Sequence, residues 1–135
     1  MVDLLNFSFW SDTPYYVVHE GTQYTGYWSL CAAINKALAA GIPATDPAYY
    51  GAAASEADLC AILRASDQGE MPMVEERARI WGEAGRILLA KFEGSVEKLV
   101  ESAERDSFRL INLVVANFHS FFDASTYYDQ PGTCR

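Results

Sequence analysis

Acid–base, nucleophilic and metal chemistry each need particular side chains at particular spacings. Histidine occurs only as His19 and His119, with no HExxH run and no paired-cysteine spacing beside either. No metal site is expected from that pattern. The cysteines are Cys31, Cys60 and Cys134, with no CxxC and no histidine nearby. A thiol becomes a nucleophile where neighbours stabilise its thiolate. Cys31 instead falls in a helical pattern and is expected to face the core, as free cysteines commonly do. Three widely spaced cysteines read as free thiols in a reducing compartment. Neither a GxGxxG run nor a Walker A run is present, so no glycine loop cradles a phosphate. The remaining candidates for acid–base work are the adjacent carboxylates Glu75 and Glu76. They sit in the first turn of a long helical pattern, where acids meet the positive end of the helix dipole. A catalytic acid or base also needs a partner within hydrogen-bond reach. The sequence names none, so a solvated, dipole-matched turn is the simpler reading.

Aromatic residues are the least ordinary feature. Phe7, Phe9, Trp10, Tyr15, Tyr16, Tyr24, Tyr27 and Trp28 crowd the N-terminal quarter of the chain. A flat heterocyclic base can stack on such rings, which offer π faces and polar edges. The same rings can equally glue strands to helices, and both readings stay open. Ten cations against eighteen anions give a formal charge of −8 without a basic stripe. No direct binding to tRNA or DNA is expected, because gripping phosphates needs clustered Lys and Arg. A small ligand in a local pocket remains compatible with that charge. There is no run of about 18 apolar residues, so no membrane span or membrane partner is expected. The start, Met1-Val2-Asp3-Leu4-Leu5, has an acid and no basic region ahead of an apolar run. No secretory leader is expected, and the location is read as intracellular, in cytoplasm or nucleus.

These residues must be carried by elements, and the period of the chain suggests which. Residues 5–10 alternate apolar and polar, Tyr15–His19 is β-branched and aromatic, and Gln23–Thr25 follows a Glu20-Gly21-Thr22 turn. Three short strands in an antiparallel meander are predicted. The spacing then turns helical. Leu30, Ile34, Ala37 and Leu38 form a stripe that Gly41 and Pro43 should end. Asp46-Pro47 predicts a short helix start, Ser55 caps a helix to about Arg64, and residues 72–92 make the longest helix. Its apolar face is Val74, Ala78, Trp81, Ala84, Gly85, Leu88, Leu89 and Phe92. Ser95 and Asp106 cap two more helices, the second with Phe108, Ile111, Val114, Val115 and Phe118 inward. Residues 124–135 have no period and read as a divergent, disordered tail. The expected fold is mainly α with a small N-terminal antiparallel β-meander, in about one domain's length of chain.

Several stretches together resemble one family. They are Leu5-Asn6-Phe7-Ser8-Phe9-Trp10, the run Tyr24-Thr25-Gly26-Tyr27-Trp28-Ser29-Leu30-Cys31-Ala32-Ala33, and Gly41-Ile42-Pro43-Ala44-Thr45-Asp46-Pro47. Met71-Pro72-Met73-Val74-Glu75-Glu76-Arg77 and Gly85-Arg86-Ile87-Leu88-Leu89-Ala90-Lys91-Phe92 follow in order. Order and spacing are similar to those of the queuosine salvage family, the queuosine 5′-phosphate N-glycosidases, from about Leu4 to about Asp123. The resemblance implies a domain over 1–123 that is the central part of such an enzyme, with a helical fold similar to that of DNA glycosylases. It implies hydrolysis of queuosine 5′-phosphate to queuine and ribose 5-phosphate by water, with no cofactor, so that queuine re-enters tRNA modification. The sugar gains oxocarbenium character, which a carboxylate beside the ring stabilises. Queuine is a 7-deazaguanine and has no N7 to protonate, so the leaving group must be stabilised elsewhere on the ring. The family's catalytic aspartate lies in a Phe-Ala-Asp-Tyr-Arg run that these residues do not contain, and a substrate-contacting histidine lies ahead of the matched part. No catalytic residue is therefore assigned. Expected to support the pocket are Asn6, Phe9, Trp10, Tyr24, Gly26, Tyr27, Trp28, Ser29, Glu75 and Glu76. An inactive product acting as a binding or scaffold protein is the alternative function. Apolar helix faces left without partners are expected to be exposed and to drive association.

Overall fold

The computed structural model describes residues 2–64, 67–127 and 130–134. Five α-helices are the main elements among them: α1 (Gly26–Ala39), α2 (Glu56–Leu63), α3 (Val74–Lys91), α4 (Val96–Glu101) and α5 (Ser107–Asn117). The architecture is mainly helical, with a small antiparallel sheet near the N-terminus. That sheet has two strands, β1 (Val17–His19) and β2 (Thr22–Tyr24), with Val18 opposite Gln23. The predicted third strand over residues 5–10 is absent. Val2–Leu5 is a turn of 3-10 helix, and the backbone then runs to Trp10 without pairing. The alternation there is real, with Leu5 buried, Phe7 and Phe9 half-buried, and Asn6, Ser8 and Trp10 exposed. Its carbonyls are satisfied by a side chain instead of a neighbouring strand. Farther on, β3 (Asp123–Tyr127) and β4 (Gln130–Cys134) pair antiparallel along a stretch where the sequence shows no period.

Helix boundaries follow local chemistry. The end of α1 is a Schellman arrangement: Gly41 sits at φ 81°, Ile42 N–H donates to Ala37 O at 2.9 Å, and Gly41 N–H to Leu38 O at 3.0 Å. Asp46 Oδ1 accepts from Ala48 N–H at 2.8 Å. The turn it opens continues as a π-helix over Tyr49–Ala53. Ser55 and Asp58 form a reciprocal capping box on α2. The Ser95 hydroxyl accepts from Glu97 and Lys98 N–H, and the Asp106 carboxylate from Phe108 and Arg109 N–H. The latter two residues cap α4 and α5.

The chain divides into two compact units, Met1–Arg86 and Ile87–Arg135. In the first, Leu5, Tyr15, Leu30, Ile34, Tyr50, Leu59, Leu63, Met71, Val74 and Trp81 form the core. The tightest approach there is backbone on backbone. The π-helical turn meets α3 where Gly51 faces Gly85, and a Cβ built on Gly85 would lie 2.5 Å from the Gly51 Cα. In the second unit Leu88, Phe92, Leu99, Ala103 and Phe118 are buried. The rings of Phe92 and Phe118 stack at 6.5 Å. The α5 face expected to be inward is covered only in part: Phe118 beyond its end is buried, Val114 and Val115 are half-buried, and Phe108 and Ile111 are exposed. No residue of α5 is buried, and Phe108 is 78% exposed and Ile111 54% exposed. Leu89, expected on the buried face of α3, is also exposed.

Candidate functional site

Residue 77 of α3 organises the N-terminal segment. Along α3, Val74, Arg77, Ala78 and Trp81 follow the 3- and 4-residue spacing of one face, and all four are fully or almost fully buried. Arg77 is 0% exposed. Burying a guanidinium is costly unless hydrogen bonds replace its hydration. Here its Nε–H donates to Pro72 O at 2.9 Å and Nη2 donates to Ser8 O at 3.0 Å. Nη1 also donates to Leu5 O, and Nη2 to Phe7 O. Above the guanidinium carbon lie the Phe7 ring, at 4.4 Å to its centroid, and the Phe9 ring, at 4.3 Å. Such contacts stabilise a desolvated cation by up to about 2 kcal/mol. Burial holds the Arg77 pKa below its usual value, with Tyr15 opposing that shift. No carboxylate is among these contacts, so the charge is balanced by carbonyl dipoles and aromatic faces.

Among the described residues, the expected pocket residues line no common cavity. Phe9 spends its ring on Arg77, beside Phe7. Trp10 is 83% exposed, and Asn6 is exposed as well. Tyr24 ends β2 and packs against Val17, Ala32 and Ala33. Gly26 opens α1 at φ 56°, a left-handed conformation that suits glycine. Tyr27 and Trp28 follow, edge to face with centroids 5.2 Å apart, and Trp28 is 64% exposed. Ser29 is buried and its hydroxyl donates to Gly26 O at 2.6 Å, closing the first turn. It is therefore a helix-start residue. The two carboxylates of α3 diverge. Glu75 pairs with Arg64, which also holds Glu70 at 2.7 Å. Glu76 accepts from Arg79 Nε at 3.1 Å, and that bond holds its carboxyl below the usual range. Both carboxylates are thus engaged by cations.

A concavity in the first unit lies elsewhere. It is a groove of about 310 Å³ lined by Ala33, Lys36, Ala37, Ile42, Tyr49 and Ile62, among others. None of the ten expected residues lines it. Cys31, expected in the core, is half-buried, and the Tyr27 hydroxyl bonds to its sulfur, raising the Tyr27 pKa. Cys60 is the buried thiol, and burial pushes its pKa up. Both are free. Among the described residues no group of three His, Cys, Asp or Glu side chains could hold a metal ion. None of their helices is long and apolar enough to cross a membrane. Sequence reasoning missed Arg77 as a structural centre. The available signal was a cation on an otherwise apolar helix stripe, preceded by aromatics at alternate positions.

An aromatic-sheathed arginine thus ties the N-terminal strap to the long helix. The sequence matches the family described as Queuosine salvage protein over residues 1–132, and the chain belongs to that family. It is 44% identical over 130 residues to a Bos taurus protein named queuosine 5′-phosphate N-glycosylase/hydrolase, covering 94% of this chain and 38% of that protein. A Mus musculus protein of the same name is 45% identical over 130 residues, covering 94% and 38%. One from Sphaerobacter thermophilus is 35% identical over 127 residues, again covering 94% and 38%. The chain thus spans well under half the length of these relatives.

Proposed function

We propose that this chain is the central scaffold of an N-glycosidase that hydrolyses queuosine 5′-phosphate to queuine and ribose 5-phosphate. The observation that supports this reading is the colinear match over 94% of the chain to relatives bearing that activity in their names. Water is the nucleophile, and the reading needs no cofactor, tRNA contact or membrane. In this reading Asn6, Phe9, Trp10, Tyr24, the Gly26–Ser29 start of α1, Glu75 and Glu76 support the substrate pocket of the whole protein, and Arg77 with Phe7 anchors the segment that carries the first three. The developing oxocarbenium ion calls for a free carboxylate beside the sugar. Glu75 and Glu76 are already engaged by arginines, so neither is free for that role. Domain limits of 1–123, with 124–135 as a separate tail, belong to the same proposal. The test is release of queuine from queuosine 5′-phosphate by the full-length gene product, followed by chromatography of the free base. A folded full-length protein that releases none overturns the reading.

A further inference from the structure

Arginine in a protein that handles a nucleotide invites assignment as a phosphate ligand. Arg77 is built differently. A guanidinium has five N–H donors in a fixed fork. Four hydrogen bonds from Arg77 run to main-chain carbonyls, those of Leu5, Phe7, Ser8 and Pro72. Phe7 and Phe9 lie against its π surface, and its exposure is 0%. An anion therefore has no open approach to it. Three of those carbonyls belong to four consecutive residues at the N-terminus, and the fourth to the turn that starts α3. Ser8 stands at φ 43°, a left-handed conformation that costs a non-glycine residue about 1 kcal/mol or more and persists only where surroundings enforce it. The bonds to Phe7 O and Ser8 O flank that position. The side chains of Asn6, Ser8 and Trp10, which alternate with the buried Leu5 and the half-buried Phe7 and Phe9, are left exposed.

We propose that Arg77 is a positioning residue: it shapes residues 5–8 into a fixed strap that presents Asn6, Ser8 and Trp10 to the nucleotide, and it does not hold the nucleotide's phosphate. The nucleotide part rests on the reading under "Proposed function"; the strap part rests on geometry alone. An amide, a hydroxyl and an indole suit a flat heterocycle with hydrogen-bonding edges. Only arginine supplies the planar fork, so Arg77→Lys keeps the charge and loses the geometry.

The experiment uses the 135-residue chain, its Arg77→Lys variant and ¹⁵N relaxation. Order parameters at residues 5–9 should fall from about 0.85 to below about 0.6 in the variant, while those of α3 stay high. Affinity for queuosine 5′-phosphate should weaken roughly tenfold. A merely structural Arg77 would lower the melting temperature and leave residues 5–9 as ordered as before, which overturns the proposal. Wild-type protein gives an arm independent of variant folding. Its Arg77 Nε–H resonance should be unmoved by inorganic phosphate, and a saturable shift there overturns the proposal. If the wild-type chain binds no nucleotide, the presentation of Asn6, Ser8 and Trp10 to the nucleotide is overturned, the order parameters still judge the strap, and queuine release by the full-length product judges the functional reading separately.

Discussion

Replacing Gly85 by alanine isolates one packing constraint. Gly85 and Gly51 both have ordinary negative φ, so alanine is unstrained at either backbone position. In the middle of α3, alanine should even help, by about 1 kcal/mol of helix propensity. Geometry opposes that gain. The new Cβ would lie 2.5 Å from Gly51 Cα, 2.6 Å from Gly51 N and 2.6 Å from Tyr50 Cδ2. Cβ atoms essentially never come within 3.0 Å of such neighbours, so the π-helical turn would have to move off α3. Overpacking of this kind costs about 3 kcal/mol, the upper part of its usual range, because two of the three clashing atoms are backbone. The net loss is about 2 kcal/mol, or about 8 °C of melting temperature in a chain this size. Gly82→Ala is the matched control, one turn earlier on the same helix. Its Cβ would meet Arg86 Nη1 at 3.2 Å, the movable end of a side chain, and otherwise only ordinary contacts at 3.5 and 3.6 Å. That variant should be neutral or stabilised by up to about 1 kcal/mol. Urea unfolding at low protein concentration, followed by circular dichroism, measures both. Gly85→Ala as stable as Gly82→Ala would refute the claim that the two glycines let the backbones touch.

Two further outcomes follow from the surface. Asp58, held by the Ser55 hydroxyl and N–H, and Asp67, held by Val18 N–H and Lys36, both have carboxyl pKa values below the ordinary range. A depressed carboxylate adds stability above its unfolded pKa and loses it as pH falls through the folded one. Stability should therefore decline from about pH 5 downward, and Asp67→Asn should flatten that decline; an unchanged acid slope in the variant counts against the pairing. The second outcome concerns α5, whose Phe108 and Ile111 face solvent. The 135-residue chain should self-associate in sedimentation velocity, and Phe108→Glu with Ile111→Glu should reduce association without lowering the melting temperature. A monodisperse wild-type chain contradicts the expectation.

Family membership and most helix limits were legible because they depend on neighbours in sequence. Gly41 ends α1, Ser55, Ser95 and Asp106 start three helices, and each does so through bonds to groups within a few residues. The residues expected to support a pocket were legible only as a set of positions. Their partners come from afar, as when Arg77 reaches across some seventy residues to Leu5 and Phe7. Alternation over residues 5–10 cannot distinguish a strand paired to a strand from a strap bonded to an arginine, because both bury every second side chain. The same limit applies to α5: amphipathic spacing shows which face is apolar, but not what covers it. Local pattern determined a mainly helical chain with caps at their places, and the resemblance of its ordered motifs placed the lineage. Tertiary structure alone decided that Arg77 is interior, that Gly51 meets Gly85, and that Glu75 and Glu76 take separate arginines. Local pattern carries hydrogen bonds within a turn or two, whereas the balance of a buried charge and the room for a Cβ are properties of contacts made across the fold.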